Sequence, residues 1–184
     1  MKKSPLFMPI LCALFAALTI VCSQIIIPIG PVPISMGTFA VLLAGGILGA
    51  KYGALSQIVY VTLGICGVPV FAGFRSGLAV LAGPTGGFLV GYIIAAFVVG
   101  FLIRRFPGRY YKTILLMAVG PLCYFLPGFL WFMAMTGNGA WASLTIAVLP
   151  FLPGDAAKVI LAALLTQRLR PLTPSGLSPA ASAK

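Results

Sequence analysis

Leu149 Pro150 Phe151 Leu152 Pro153 Gly154 Asp155 Ala156 Ala157 Lys158 holds the single acidic residue of a chain of 184. Whether Asp155 lies in water or among apolar groups decides which fold can hold it, and the composition answers. Hydrophobic residues make up 61% of the chain and charged residues 7%, with a mean hydropathy of +1.14, whereas soluble domains carry about 25% charged residues. The expectation is an all-α integral membrane bundle, with room for roughly six helices of about 20 residues. These form one domain over residues 1–170.

Working outward from Asp155, Pro153 suits the first position of a helix that ends at the basic Arg168 and Arg170. Trp141 to Leu149 is too short to cross a bilayer and reads as an interfacial or re-entrant piece. Thr136 Gly137 Asn138 Gly139 is a turn signal that closes a fifth helix, about Thr113 to Met135. A fourth runs from about Pro84 to Ile103, a third from about Tyr52 to Cys66 and a second from about Ile34 to Gly49. The first apolar run, about Leu6 to Ile27, is longer than the 7–15 residue core of a signal peptide and is followed by more such runs, so it reads as the first membrane helix. Pro28, Gly30, Pro31 and Pro33 make a stiff external turn after it.

Gly67 to Gly83 is rich in Gly and Pro yet apolar, with Arg75 as its one charge. A solvated loop of that length would be polar, and bare backbone is not tolerated in lipid, so the segment is expected to fold onto the outer end, where it is a candidate lid. Pro171 to Lys184, rich in Ser, Pro and Ala, reads as a disordered cytoplasmic tail.

The formal charge of +11 would suggest nucleic acid in a soluble chain, but in a membrane protein it reports orientation. With this segmentation Lys2, Lys3, Lys51, Arg104, Arg105, Arg109, Lys112, Arg168, Arg170 and Lys184 face one side, leaving Arg75 and Lys158 on or toward the other. Both termini are therefore expected in the cytoplasm, with membrane lipid rather than nucleic acid as the surroundings. Histidine is absent and there is one carboxylate, so paired acid/base catalysis and most metal sites lack their side chains. Cys12, Cys22, Cys66 and Cys123 sit singly in apolar runs, without metal-ligand spacing, and read as packing residues. No Walker-type phosphate loop occurs, so any ATP chemistry belongs to another subunit. No enzyme activity, metal or cofactor is expected.

Small residues recur four apart at Ala13 and Ala17, at Gly45, Gly49 and Gly53, and at Gly83, Gly87 and Gly91. This spacing lets helix backbones approach. Ala13 and Ala17, on the first helix, form a candidate partner-docking face, the others internal packing.

Asp155 and Lys158, three apart, share a helix face and can pair. An ionisable residue inside a membrane is costly enough to be read as functional, and these two are each other's obvious partners. Asp155 would lie in the first helical turn, near free backbone N–H groups. Together with Arg75 the local charge is +1, which a monoanionic solute would neutralise. Phe71, Phe74, Phe88, Tyr92 and Trp141 offer apolar and aromatic walls for a sizeable apolar body. The candidate binding residues are Asp155, Lys158, Arg75, Phe71 and Tyr92. A proton-coupled secondary transporter of a small organic anion, with Asp155 as the protonated carrier, fits the same residues.

The order of Val32 Pro33 Ile34 Ser35, Thr38 Phe39 Ala40 Val41 Leu42 Leu43 Ala44 Gly45, Gly67 Val68 Pro69 Val70 Phe71 Ala72 Gly73, Gly83 Pro84 Thr85 Gly86 Gly87 Phe88 and Pro150 to Lys158 resembles the BioY family. These are biotin-specific S components of energy-coupling factor (ECF) transporters. The resemblance covers about Pro5 to Leu169. It implies a six-helix subunit that captures biotin from outside and works with a transmembrane coupling protein and two cytoplasmic ATPases. It further implies that Ala13 and Ala17 match the Ala-x-x-x-Ala face that docks the coupling protein. Biotin suits the site: its ureido N–H groups would be accepted by Asp155, its rings and chain by apolar walls, its carboxylate by Arg75. Lys158 would bond the ureido oxygen or hold Asp155 ionised. Gly37 stands where the family often has glutamine, and Phe74 Arg75 Ser76 where it is more often glycine-rich.

Overall fold

Apolar length and proline placement set the helices of the computed structural model, which describes residues 6–28 and 32–170. Lys2, Lys3, Lys184 and the expected tail at 171–184 lie outside the described residues, as does the middle of the Pro28 to Pro33 turn. Helix α1 spans Phe7–Gln24. A two-stranded antiparallel ribbon follows, β1 (Ile26–Ile27) and β2 (Ile34–Ser35), with Ile26 opposite Ser35 and Ile27 opposite Ile34. The second helix, expected from about Ile34, begins later as α2 (Gly37–Leu48), because Ile34 and Ser35 are taken into the ribbon. Val32 and Ser35 are buried, so this non-helical backbone is shielded by protein, the condition under which such backbone is tolerated at membrane depth.

Gly49, with φ +80, separates α2 from α3 (Ala50–Ile65). Gly67 to Gly83 contains the single short helix α4 (Leu78–Leu81), and α5 covers Gly86–Arg105. The fifth expected helix is α6 (Tyr110–Met117) and α7 (Val119–Thr136), interrupted at Ala118. The piece from Trp141 is α8 (Ala140–Ala147). It runs through a 3-10 turn at Leu149–Phe151 into α9 (Leu152–Leu169). Pro150 and Pro153 supply no N–H groups, which accounts for a tightened joint in place of one unbroken helix. Asp155 lies in the first turn of α9, as expected, with Pro153 as the second residue of that helix, and the helical stretch continues back through the joint to Ala140.

Among the described residues, four helical stretches are long and apolar enough to cross a membrane: Phe7–Gln24, Gly86–Arg105, Tyr110–Thr136 and Ala140–Leu169. At about 1.5 Å per residue, α2 and α3 reach about 18 Å and 24 Å, short of a hydrocarbon layer of about 30 Å. The protein is a multi-pass helical membrane bundle.

Helix α5 is central, packed on α2, α3 and α7. A β-carbon on Gly45 would stand 2.6 Å from the Ala96 carbonyl oxygen, and one on Gly100 2.4 Å from the Ala50 nitrogen, so glycine is what lets α2, α3 and α5 touch. The core has an aromatic part around Tyr60, Phe71, Phe88, Tyr92, Tyr124 and Phe125 and an aliphatic part around Leu42, Leu48, Val99, Met117 and Ala162. The aliphatic part abuts the basic end. There Arg104 Nη2 donates to the Leu48 carbonyl at 2.8 Å, Arg170 Nη1 to that of Ile103 at 3.4 Å, and Gln167 Nε2 to that of Gly108 at 2.8 Å. These contacts gather the ends of α2, α5 and α9 with the start of α6, bringing Lys51, Arg104, Arg105, Arg109, Lys112, Arg168 and Arg170 to one end.

Candidate functional site

Within the aromatic part lies a cavity of about 640 Å3 counted out to its mouth, with Asp155 and Lys158 among its lining residues. Both are almost fully buried, at 2% and 6% exposure. Lys158 Nζ lies 2.8 Å from Asp155 Oδ1, the pairing expected from their three-residue spacing. It also donates to the Ser35 carbonyl at 2.7 Å and to Thr38 Oγ1 at 3.0 Å. A lysine ammonium has three donors, and all three are engaged. The Thr38 hydroxyl lies 3.4 Å from Asp155 Oδ1, and the Tyr124 hydroxyl donates to Asp155 Oδ2 at 2.5 Å. Each carboxylate oxygen accepts from the protein, with lone pairs left for donors arriving from the cavity.

Three elements deliver these partners. The ribbon and the start of α2 bring Ser35 and Thr38 against α9. Tyr124 comes from α7, which approaches α5 so closely at this level that a β-carbon on Gly91 would lie 2.6 Å from Tyr124 Cα. An aromatic wall continues from there: Tyr92 meets Tyr124 edge-on with ring centroids 6.0 Å apart, Tyr60 stacks on Tyr92 at 6.5 Å, and Phe71 meets Tyr60 edge-on at 5.7 Å. Phe71 is buried because Gly64 leaves room for its ring, where a β-carbon would come within 2.1 Å of Phe71 Cζ.

The Gly67 to Gly83 segment supplies Phe71, Ala72, Arg75 and Val80 to the cavity lining. Arg75 is exposed; its Nε donates to the Ala72 carbonyl at 3.2 Å, and its own carbonyl accepts from the Phe71 N–H at 3.0 Å. All five expected binding residues, Asp155, Lys158, Arg75, Phe71 and Tyr92, thus line one cavity, together with Phe88.

Two of the expected wall residues need correction. Phe74 and Trp141 are 71% and 76% exposed and do not line the cavity. Phe74 adopts a left-handed φ of +57 within the turn closed by Phe71 and Arg75, and Trp141 sits on the outer side of α8. Ala13 and Ala17 lie on an exposed face of α1 with Ile10, Leu14 and Val21, remote from the cavity. Tyr124 was not singled out by sequence. Its only signal was a phenolic tip in an otherwise apolar run, which buried tyrosines normally pair.

A multi-pass helical bundle with a buried charged pair beneath an aromatic cavity is a membrane protein built to hold a small solute with both polar and apolar parts. The chain belongs to the BioY family, whose model matches residues 2–175. It is similar to the probable biotin transporter BioY of Pyrococcus horikoshii, 42% identical over 161 residues that make up 87% of this chain and 94% of the relative. The biotin transporter BioY of Thermotoga maritima is 38% identical over 86% of this chain and 93% of its own length. A crystal structure of the S-component for biotin from an ECF-type ABC transporter superposes with a TM-score of 0.87 at 28% identity, covering 93% of this chain and 94% of that one.

Proposed function

We propose that this chain captures biotin from outside the cell and carries it across the cytoplasmic membrane as the substrate-specific subunit of an ECF-type transporter. The observation that carries this reading is the buried set of Asp155, Lys158 and Tyr124 under an aromatic cavity with Arg75 on its lining. Asp155 accepts the ureido N–H donors of biotin. Lys158, whose three donors are already engaged, holds that carboxylate in place, the second of the two roles open to it. Phe71 and Tyr92 cover the fused rings, and Arg75 takes the ligand carboxylate with its Nη groups, for which no partner is found among the described residues. Hydrolysis of ATP falls to two partner ATPases, reached through a transmembrane coupling protein that docks on Ala13 and Ala17.

In this reading the bundle crosses six times, α2 and α3 making the short second and third crossings, and both termini lie on the basic, cytoplasmic side. Cells unable to make biotin, given this chain with the coupling protein and ATPases, should take up labelled biotin, and inactive ATPases should abolish the accumulation. Accumulation by the chain alone that follows a pH gradient would instead mark the proton-coupled carrier.

A further inference from the structure

The roof of the cavity is tied down by one side chain that the reading above leaves unused. Gln24, the last residue of α1, places its amide against the backbone of residues 70–74. Its Nε2 donates to the Val70 carbonyl at 3.0 Å and to the Phe71 carbonyl at 3.3 Å, while its Oε1 accepts from the Phe74 N–H at 3.0 Å. The reversed amide would set an oxygen against two carbonyl oxygens, so the donor and acceptor assignment is fixed by its surroundings. Neighbouring Ser23 adds a hydroxyl bond to the same Val70 carbonyl at 2.7 Å. The gripped stretch carries Phe71, Ala72 and Arg75, and it includes Phe74 in a left-handed conformation that costs about 1 kcal/mol or more for a residue with a side chain. Something outside the turn must hold it in that shape, and Gln24 bonds the Phe74 amide itself.

We infer that Gln24 is a positioning residue for ligand retention: its amide clamps the 70–75 turn so that Phe71 and Arg75 stay over Asp155, and loss of the clamp speeds escape of the bound solute. The inference rests on the biotin reading only for the identity of the solute. One amide bonds three backbone groups, sharing the Val70 carbonyl with Ser23, and a hydrogen bond contributes about 0.5–1.5 kcal/mol, so removing it should raise the dissociation rate about tenfold, while association, governed by entry, changes little.

The experiment uses the full chain in lipid nanodiscs, wild type beside Gln24→Leu and Gln24→Glu. Gln24→Leu removes donor and acceptor at similar size; Gln24→Glu keeps the acceptor for Phe74 and loses both donors. Hydrogen exchange without ligand should be faster at residues 70–76 in Gln24→Leu and at least as fast in Gln24→Glu, whose second oxygen faces the Val70 and Phe71 carbonyl oxygens, and unchanged exchange overturns the clamp. Biotin dissociation should follow the same order at an unchanged melting temperature. Faster exchange with unaltered dissociation overturns the role in retention. A wild-type chain that binds no biotin would count against the proposed ligand, while the exchange comparison would still decide the clamp.

Discussion

At the residue scale, Asp155 and Lys158 form a pair in which each charge is buried and each depends on the other. Removing one partner of such a pair leaves an uncompensated buried charge and costs about 3–5 kcal/mol, whereas replacing both with neutral groups of similar size is often tolerated. Lys158→Met alone should therefore lower the melting temperature sharply, and Asp155→Asn with Lys158→Met should recover most of the loss without regaining ligand. Thermal unfolding followed by circular dichroism checks this, and equal melting of the single and double variants would contradict it. Arg75 is tested with the ligand instead. Arg75→Ala should weaken biotin about tenfold or more, as expected for a charge-assisted bond, but leave biotin amide, which has no carboxylate, almost unaffected. An equal loss for both ligands would remove Arg75 from the carboxylate.

The pairing of Asp155 with Lys158 was legible from a spacing of three in an apolar stretch, because helical geometry places such residues on one face. Their further partners were not. Ser35 and Thr38 stand within a quoted motif, but nothing local shows that the ribbon folds inward to reach α9. Tyr124 depends on the close approach of α5 and α7 at Gly91. Phe74 and Trp141 were misplaced because aromatic character does not say which way a ring points: that depends on one left-handed φ and on the rotation of α8.

Among the elements, α1 has two distinct working parts. Its outward face presents Ala13 and Ala17 among exposed apolar side chains, and its last turn bonds the backbone of residues 70–74 through Ser23 and Gln24. Bulky groups at Ala13 and Ala17 should abolish co-purification with the coupling protein and leave biotin affinity of the isolated chain unchanged. Loss of both together would mean that the face is needed for folding rather than docking. Helix limits were legible wherever an apolar run met a turn signal, as at Thr136 to Gly139. They were shifted where tertiary pairing took over, as at Ile34 and Ser35.

For the whole molecule, charge is distributed along one axis. The basic residues brought together by Arg104, Gln167 and Arg170 occupy one end, and the cavity opens among segments at the other. In this arrangement a single cysteine placed at Ser76, in a chain otherwise free of cysteine, should react with a membrane-impermeant maleimide added to intact cells, while one placed at Lys51 should react only after permeabilisation. The reverse pattern would invert the proposed orientation. The membrane class was legible from composition alone, since so few charges cannot keep a soluble surface hydrated. Apolar length alone does not count the crossings, because α2 and α3 are shorter than a bilayer.

The most direct test of the central claim is a calorimetric titration of biotin into purified wild-type protein and Asp155→Asn side by side, with the melting temperature of each recorded. The wild type should bind biotin at one site, and Asp155→Asn should melt lower, because Lys158 loses its counter-charge, and should bind at least about tenfold more weakly at a temperature where it is still folded and monodisperse. Equal affinity in the two would show that the buried carboxylate does not receive the ligand, and no binding by the wild type would contradict biotin as the solute.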